Sequence, residues 1–349
     1  MVETHKINWR KIRTVAGRIG AIFLLVLVWL VVVLYGVMFV LSKGPSPTAR
    51  NMFVCSVQET SAAGFLARLF FSQEQIDAIT GANVEPEYQE MDTSLIVLPQ
   101  QDDDTKTDAW GLVDEDGDGI IMENITGEGF SGYVMVVLDP SRVILATVPE
   151  SHGRVGYTVE DMANRFDAVA AINAGGFYDP NGSGNGSIPD TMVVYQGQIY
   201  QKGLGSGNGF AGFDSNHILH VGKFTADEVV SRDIQYGVGF GPVLVVNGEA
   251  VDASLLRSGV NPRTAIAQRS DGAVLLVVID GRQVTSLGAS YQDLVEVLLS
   301  YGAVNACNLD GGSSSLMWFD GEYINTSASL LGIRPVPTAF VVLKEGAHE

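Results

Sequence analysis

The chain has 349 residues, enough for one large domain or two small ones, and 46% of them are hydrophobic, so a real core is expected and wholesale disorder is not. Its net charge of −19 at pH 7 argues against nucleic acid, whose phosphates need a basic footprint. Two cysteines, Cys55 and Cys307, are too few for a disulfide framework.

Charge is unevenly spread. Residues 1–18 form a basic tail, and residues 51–349 hold 14 basic and 39 acidic side chains, a net of −25. A phosphate site in so acidic a domain must be a local cationic pocket. Residues 19–41, from Ile19 to Leu41, are uncharged and long enough to cross a ~30 Å hydrocarbon core as a transmembrane helix. The basic residues precede it. The expected location is therefore the plasma membrane, single-pass, with the N-terminus cytoplasmic and the C-terminal domain extracytoplasmic. The stretch exceeds the ~7–15-residue core of a cleaved signal peptide, and no small-x-small site follows, which favours an anchor.

Residues 42–110 read as a juxtamembrane helix and linker. An amphipathic helix is expected within 51–81, with Phe65, Leu66, Leu69, Phe70 and Ile76 on its apolar side and Gly81 as its stop. Residues 82–110, with the acidic run Asp102-Asp103-Asp104, are linker-like.

Residues 111–349 change to short strands and glycine-rich turns. Strands are expected at Tyr133–Leu138, Val193–Tyr195, Ile218–Val221, Val243–Val246, Val274–Ile279, Leu316–Phe319 and Ala339–Leu343. One helix begins at Thr158 with Asp161 three residues on, and another at Ser290 with Asp293, both capping-box patterns. Each leads into a buried strand and then a glycine turn: Ala168–Ile172 before Asn173-Ala174-Gly175-Gly176-Phe177, and Val304–Leu309 before Asp310-Gly311-Gly312-Ser313. The expected fold class is α+β: a single mixed-sheet domain with flanking helices, preceded by one N-terminal transmembrane helix. Cys307, in an apolar run, is expected in the core, and two unpaired thiols are favoured over one bridge.

The chemistry-bearing segments follow from this layout. In Asp310-Gly311-Gly312-Ser313-Ser314-Ser315 a carboxylate leaves a buried strand, glycines free the backbone N–H groups to form an anion nest, and hydroxyls follow. That suits a phosphate or sugar hydroxyls beside an acid or base; the competing reading is a hairpin turn. Asn261-Pro262-Arg263-Thr264 presents a fixed guanidinium to an anion or a structural ion pair. Asp280-Gly281-Arg282 sets a charged pair at the end of an apolar strand, and Asn173 with Phe177 offers an amide and a ring for a sugar.

Other readings fail. Gly207-x-Gly209-x-x-Gly212 is followed by a strand, not the helix a dinucleotide site needs. His152, His217 and His220 lack triad or metal spacing. Asp114-x-Asp116-x-Asp118-Gly119 starts like a calcium loop, but its twelfth position is Ile125, so an acidic hairpin is favoured over a calcium-dependent adhesive domain.

Six strings in order resemble the phosphodiester glycosidase family, the one that includes the lysosomal uncovering enzyme and many bacterial members labelled exopolysaccharide-biosynthesis-related. They are Asn173–Phe177, Phe240-Gly241-Pro242, Asn261–Ile266, Asp280-Gly281-Arg282, Asn305–Ser314 and Arg334-Pro335. The resemblance covers roughly residues 125–343 and implies a hydrolase that cleaves the glycosidic bond of a sugar 1-phosphodiester. Carried over by motif, Asn173, Arg263, Asp280, Arg282, Asp310, Ser313 and Ser314 become pocket residues. The residues themselves suggest Asp310 or Asp280 for acid, base or nucleophile chemistry and Arg263 with the nest at Gly311 and Gly312 for the phosphate, while Gly175, Phe177 and Thr264 complete the expected substrate-binding set. The expected partner is a glycan or sugar phosphate. No cofactor is required, although Asp280 and Asp310 leave room for a divalent metal. Two positions depart from the family pattern: Ser313 replaces a third glycine, and Asp190 and Thr191 stand where small residues are common. The alternative reading is a non-catalytic glycan-binding module of the same fold.

Overall fold

The structure, a computed structural model, describes residues 9–60, 63–81, 87–98, 108, 110–149, 153–180, 183–203, 209–252, 254–329 and 332–346. Lys6, Asp102-Asp103-Asp104 and His152 lie outside the described residues. Two compact units are present, Met1–Phe53 and Val54–Glu349.

Four helices open the chain: α1 (Trp9–Lys43), α2 (Pro47–Gln58), α3 (Phe65–Arg68) and α4 (Gln73–Thr80). Within α1, Arg13–Lys43 is long and apolar enough to cross a membrane. The single helix expected within 51–81 is three. Ser72 and Gln75 form a reciprocal capping box that starts α4 afresh, and Gly81 ends it in the left-handed region at φ +73°. There follow β1 (Ile120–Gly127), β2 (Phe130–Val137), β3 (Val143–Thr147), α5 (Val159–Arg165), β4 (Ala168–Asn173), β5 (Met192–Tyr195) and β6 (Gln198–Lys202). Next come β7 (Gly209–Asp214), β8 (Leu219–Gly222), α6 (Ala226–Ser231), β9 (Ile234–Phe240), β10 (Val243–Val246) and β11 (Glu249–Ala250). The chain ends with β12 (Arg263–Arg269), β13 (Val274–Ile279), α7 (Tyr291–Ser300), β14 (Ala303–Asn308), β15 (Met317–Phe319), β16 (Glu322–Tyr323) and β17 (Thr338–Leu343).

The strands form three sheets, ordered β1-β2-β13-β12-β14-β10-β11, β16-β15-β4-β17-β3 and β6-β5-β9-β7-β8. Every pairing is antiparallel among the described residues. One face of each sheet meets a shared core, in which Met135, Leu276, Ile172, Phe340, Val193 and Phe213 are buried together. Helices lie on outer faces: α7 lies against β14 and β10, its Leu294 and Leu298 sharing a buried cluster with Leu244 and Ala306, and Met162 of α5 shares another with Ala171 and Val341. This explains the uninterrupted apolar run of β13. Val274, Leu276 and Val278 face the shared core, while Leu275, Val277 and Ile279 belong to the second buried cluster on the opposite face. The α+β expectation is met. Cys55 and Cys307 are both buried and unbridged.

Polar contacts tie the segment before residue 111 to the sheets. Gln89 donates to Val246 O at 2.8 Å, and the Asp108 carboxylate pairs with Arg269 at 2.6 Å. Arg269 is wholly buried, also ion-paired to Asp271, and stacked 4.1 Å over Trp110. A buried guanidinium that loses a partner keeps its desolvation cost. Asp108→Ala is expected to cost about 3 kcal/mol in urea unfolding, and Asp271→Ala less, because that carboxylate is one third exposed (32%). Equal costs would count against this account.

Candidate active site

Three strands converge where β4 and β14 end and β12 begins. Leu309 N donates to Thr264 O at 2.8 Å and Asp310 N to Ala174 O at 2.9 Å, so the two glycine turns meet through their backbones. Asn173 closes the junction. Its Nδ2 donates to Asp310 O at 2.6 Å, and its Oδ1 accepts from Thr264 Oγ1 at 2.9 Å and from Leu316 N at 3.1 Å. Asn173 and Thr264 are fully buried, so both side chains hold the site together. Gly175 N donates to Thr338 Oγ1 at 2.9 Å, which fixes the other turn.

Residues Gly312–Ser314 form one 3-10 turn, with Gly312 in the left-handed region at φ +63°. Gly312 N donates to Pro262 O at 3.0 Å and Ser314 N to Gly311 O at 3.2 Å, so two N–H groups of the expected anion nest are already used. Two arginines bracket the turn instead. A Cβ on Gly312 would lie 3.3 Å from Arg282 Nη2, so the guanidinium rests against the bare glycine. Arg334 Nη1 donates to Ser313 Oγ at 3.2 Å. Arg334 also pairs with Asp179 at 2.9 Å and sits 4.9 Å over the Phe177 ring. Arg282 Nη2 donates to Thr60 Oγ1 at 2.8 Å and to Asn261 Oδ1 at 3.0 Å, both uncharged acceptors.

The electrostatics single out Asp310. Burial, reinforced by Asp190 and Asp179 and opposed by a Ser314 hydrogen bond and Arg334, pushes its carboxyl up to about 7. Asp190 is raised too, mainly by burial. Its Oδ1 is enclosed with no hydrogen-bond partner among the described residues, 2.9 Å from where a Gly176 Cβ would stand. Asp310 is therefore divided between its acid and base forms near neutral pH, the state suited to proton transfer.

The remaining expected residues have other surroundings. Asp280 Oδ1 accepts from Asn325 Nδ2 at 3.1 Å and Thr326 N at 3.2 Å, and burial raises its carboxyl. It is absent from the charges that perturb Asp310. Arg263 is buried, donates to Ala289 O at 2.9 Å and Gly259 O at 2.6 Å, pairs with Glu59 at 2.8 Å, and stacks 4.2 Å over Tyr291. The structure thus gathers Phe177, Asp310, Ser313 and Ser314 around Arg334, sets Arg282 against Gly312, and gives Arg263 an internal counter-ion. Sequence reasoning did not single out Arg334, Asp179 or Asp190 as site residues. The Arg334-Pro335 string and the unusual Asp190 were visible; the Arg334–Asp179 pair, joining distant segments, had no local signal. Separately, the carboxylates of Asp114, Asp116 and Asp118 lie within 4.8 Å of one another, and both Asp114 oxygens are engaged by Gly117 N and Gly119 N at 2.9 Å.

The family model described as phosphodiester glycosidase matches residues 166–343. The chain belongs to this family. It is 32% identical over 178 residues to the SPbeta prophage-derived uncharacterized protein YomE of Bacillus subtilis (strain 168), covering 48% of this chain and 27% of that protein. It is 25% identical over 213 residues to the human N-acetylglucosamine-1-phosphodiester alpha-N-acetylglucosaminidase, covering 55% and 40% of the two chains. The match thus spans less than half the length of these curated relatives. The catalytic domain of the zebrafish N-acetylglucosamine-1-phosphodiester alpha-N-acetylglucosaminidase, auto-inhibited by its pro-peptide, shares the fold. Its TM-score is 0.54 at 20% identity, over 65% of this chain and 82% of that one.

A carboxyl raised from about 4 to about 7 binds more protons folded than unfolded between those values, so it lowers stability as pH rises through that window. Asp310→Asn removes the ionisation. The substituted chain is expected to melt higher than the parent at pH 8, and the advantage should vanish by about pH 4. Thermal melts across that range check this, and a pH-independent difference would contradict the raised carboxyl.

Proposed function

We propose that this phosphodiester glycosidase family member hydrolyses the glycosidic bond of a sugar 1-phosphodiester, releasing a free sugar and a phosphomonoester. The observation that carries the reading is Asp310, with its carboxyl held near neutrality beside a turn bracketed by Arg282 and Arg334. The two guanidiniums hold the phosphate, and Ser313 and Ser314 add hydroxyl contacts. Ionised Asp310 takes the proton of a water that attacks the anomeric carbon; the bond from that carbon to the phosphate oxygen breaks, and the phosphomonoester leaves with the bonding pair. Phosphate is a good leaving group, so no strong general acid is needed. Gly175 and Gly176 pack closely on Thr338, Val238, Phe240 and Asp190, and the buried Phe177 lies beneath Arg334, so these residues form the wall behind the sugar. Asp280, with Asn325 and Thr326, shapes the adjoining loop.

The test is free reducing sugar released from a panel of sugar 1-phosphodiesters by the full chain in detergent micelles. Turnover is expected to rise with pH through about 7, and Asp310→Asn to lower kcat ~10²–10⁴-fold. No release across a broad panel, or undiminished release by Asp310→Asn, overturns the reading; glycan binding without turnover would mark a binding module.

The same proposal places residues 19–41 of α1 as a single-pass plasma-membrane anchor, with the basic residues up to Arg18 cytoplasmic and the domain extracytoplasmic. Its substrate is then a glycan of the cell envelope or an exopolysaccharide. Protease added to intact cells should degrade residues 54–349, and alkaline carbonate should leave the chain in the membrane fraction. Protection from protease, or extraction by carbonate, would reject the placement.

A further inference from the structure

The region matched by the family model begins at residue 166, yet one wall of the site is built by residues 56–60. Ser56 Oγ accepts from Val260 N at 2.9 Å. Glu59 Oε1 accepts from Gly259 N at 2.9 Å, and its Oε2 takes Asn261 Nδ2 at 2.8 Å and Arg263 Nη2 at 2.8 Å. Thr60 Oγ1 accepts from Arg282 Nη2 at 2.8 Å, beside Asn261 Oδ1 at 3.0 Å. The backbones touch: a Cβ on Gly259 would lie 2.1 Å from Ser56 N. The contacts therefore run from Glu59 through Asn261 to Arg282, and from Arg282 to Gly312.

We propose that Glu59 and Thr60 are positioning residues that complete the phosphate-holding wall by orienting Arg282; this rests on the reading of Arg282 as a phosphate ligand. The charges explain the need for both. Burial depresses the guanidinium proton affinity of Arg282, the like charge of Arg263 adds to that, and Glu59 opposes it. Glu59 neutralises the buried Arg263. Thr60 and Asn261 fix Arg282 through uncharged oxygens, so its full positive charge is left for the ligand. A salt-bridge partner at residue 60 would orient Arg282 equally well but cancel that charge. The segment outside the family match thus supplies the geometry, and the family strings supply the ligands.

The test uses the full chain in detergent micelles, with inorganic phosphate as the binding probe and a hydrolysed sugar 1-phosphodiester for kinetics. Thr60→Val, which keeps the shape and removes the acceptor, should weaken phosphate binding and raise KM about tenfold, while Thr60→Ser should restore both. Glu59→Gln should weaken phosphate binding at least as much and also lower Tm. A merely structural segment would lower Tm in both variants and leave KM and phosphate affinity unchanged, which overturns the proposal. A parent chain that binds no phosphate overturns it as well. A parent that binds phosphate in the Thr60-dependent way but hydrolyses no diester removes the proposed reaction and leaves the positioning role standing.

Discussion

One buried amide fixes the geometry on which the site depends. Asn173 ties the end of β4 to Asp310, to Thr264 on β12 and to Leu316 ahead of β15, and so joins two of the three sheets. Thr264 and Leu316 are deep in the protein, where an unmade hydrogen bond costs about 1–3 kcal/mol. Removing the amide would orphan a carbonyl, a hydroxyl and an N–H together.

The acidity of the domain sharpens the electrostatic question. A net charge of −25 over residues 51–349 repels a phosphodiester at long range, so attraction must come from nearby cations. Three arginines are candidates, and their partners separate them. Arg263 faces Glu59 and Arg334 faces Asp179, whereas Arg282 is bonded to two uncharged oxygens. Arg282 is therefore the strongest local source of uncompensated positive charge at the turn. Arg334 contributes donors and a link from Ser313 to the ring of Phe177.

Local sequence signals carried the regular elements well. The strands Val243–Val246 and Val274–Ile279 appear with the expected bounds, and Thr158 and Ser290 cap their helices as their spacing predicts. These features depend on periodicity and on contacts within three residues. The segment at 51–81 was harder because tertiary contacts at Ser56 and Glu59 end α2, and a fresh cap at Ser72 starts α4. The site divides in the same way. Its strings were legible, but nothing local distinguishes Arg263, neutralised from a distance, from Arg282, which is not. Asp190 was visible only as an unusual residue; its enclosure beside Gly176 belongs to the folded chain.

The repeated helix–strand–glycine-turn unit gives the arrangement its logic. α5 and β4 lie in one sheet layer, α7 and β14 in another, and each strand ends in a buried asparagine. Asn308 Nδ2 donates to Gly241 O at 2.8 Å, just as Asn173 Nδ2 reaches Asp310 O. In both places an amide side chain donates to the backbone where the ladder stops; the Asn173 oxygen is also bonded, whereas the Asn308 oxygen is buried with no partner among the described residues. The two turns then meet through Asp310 N and Ala174 O. A carboxylate carried on such a meeting point is half-buried, and the loss of solvent there raises its protonation to the range where it can exchange a proton at neutral pH.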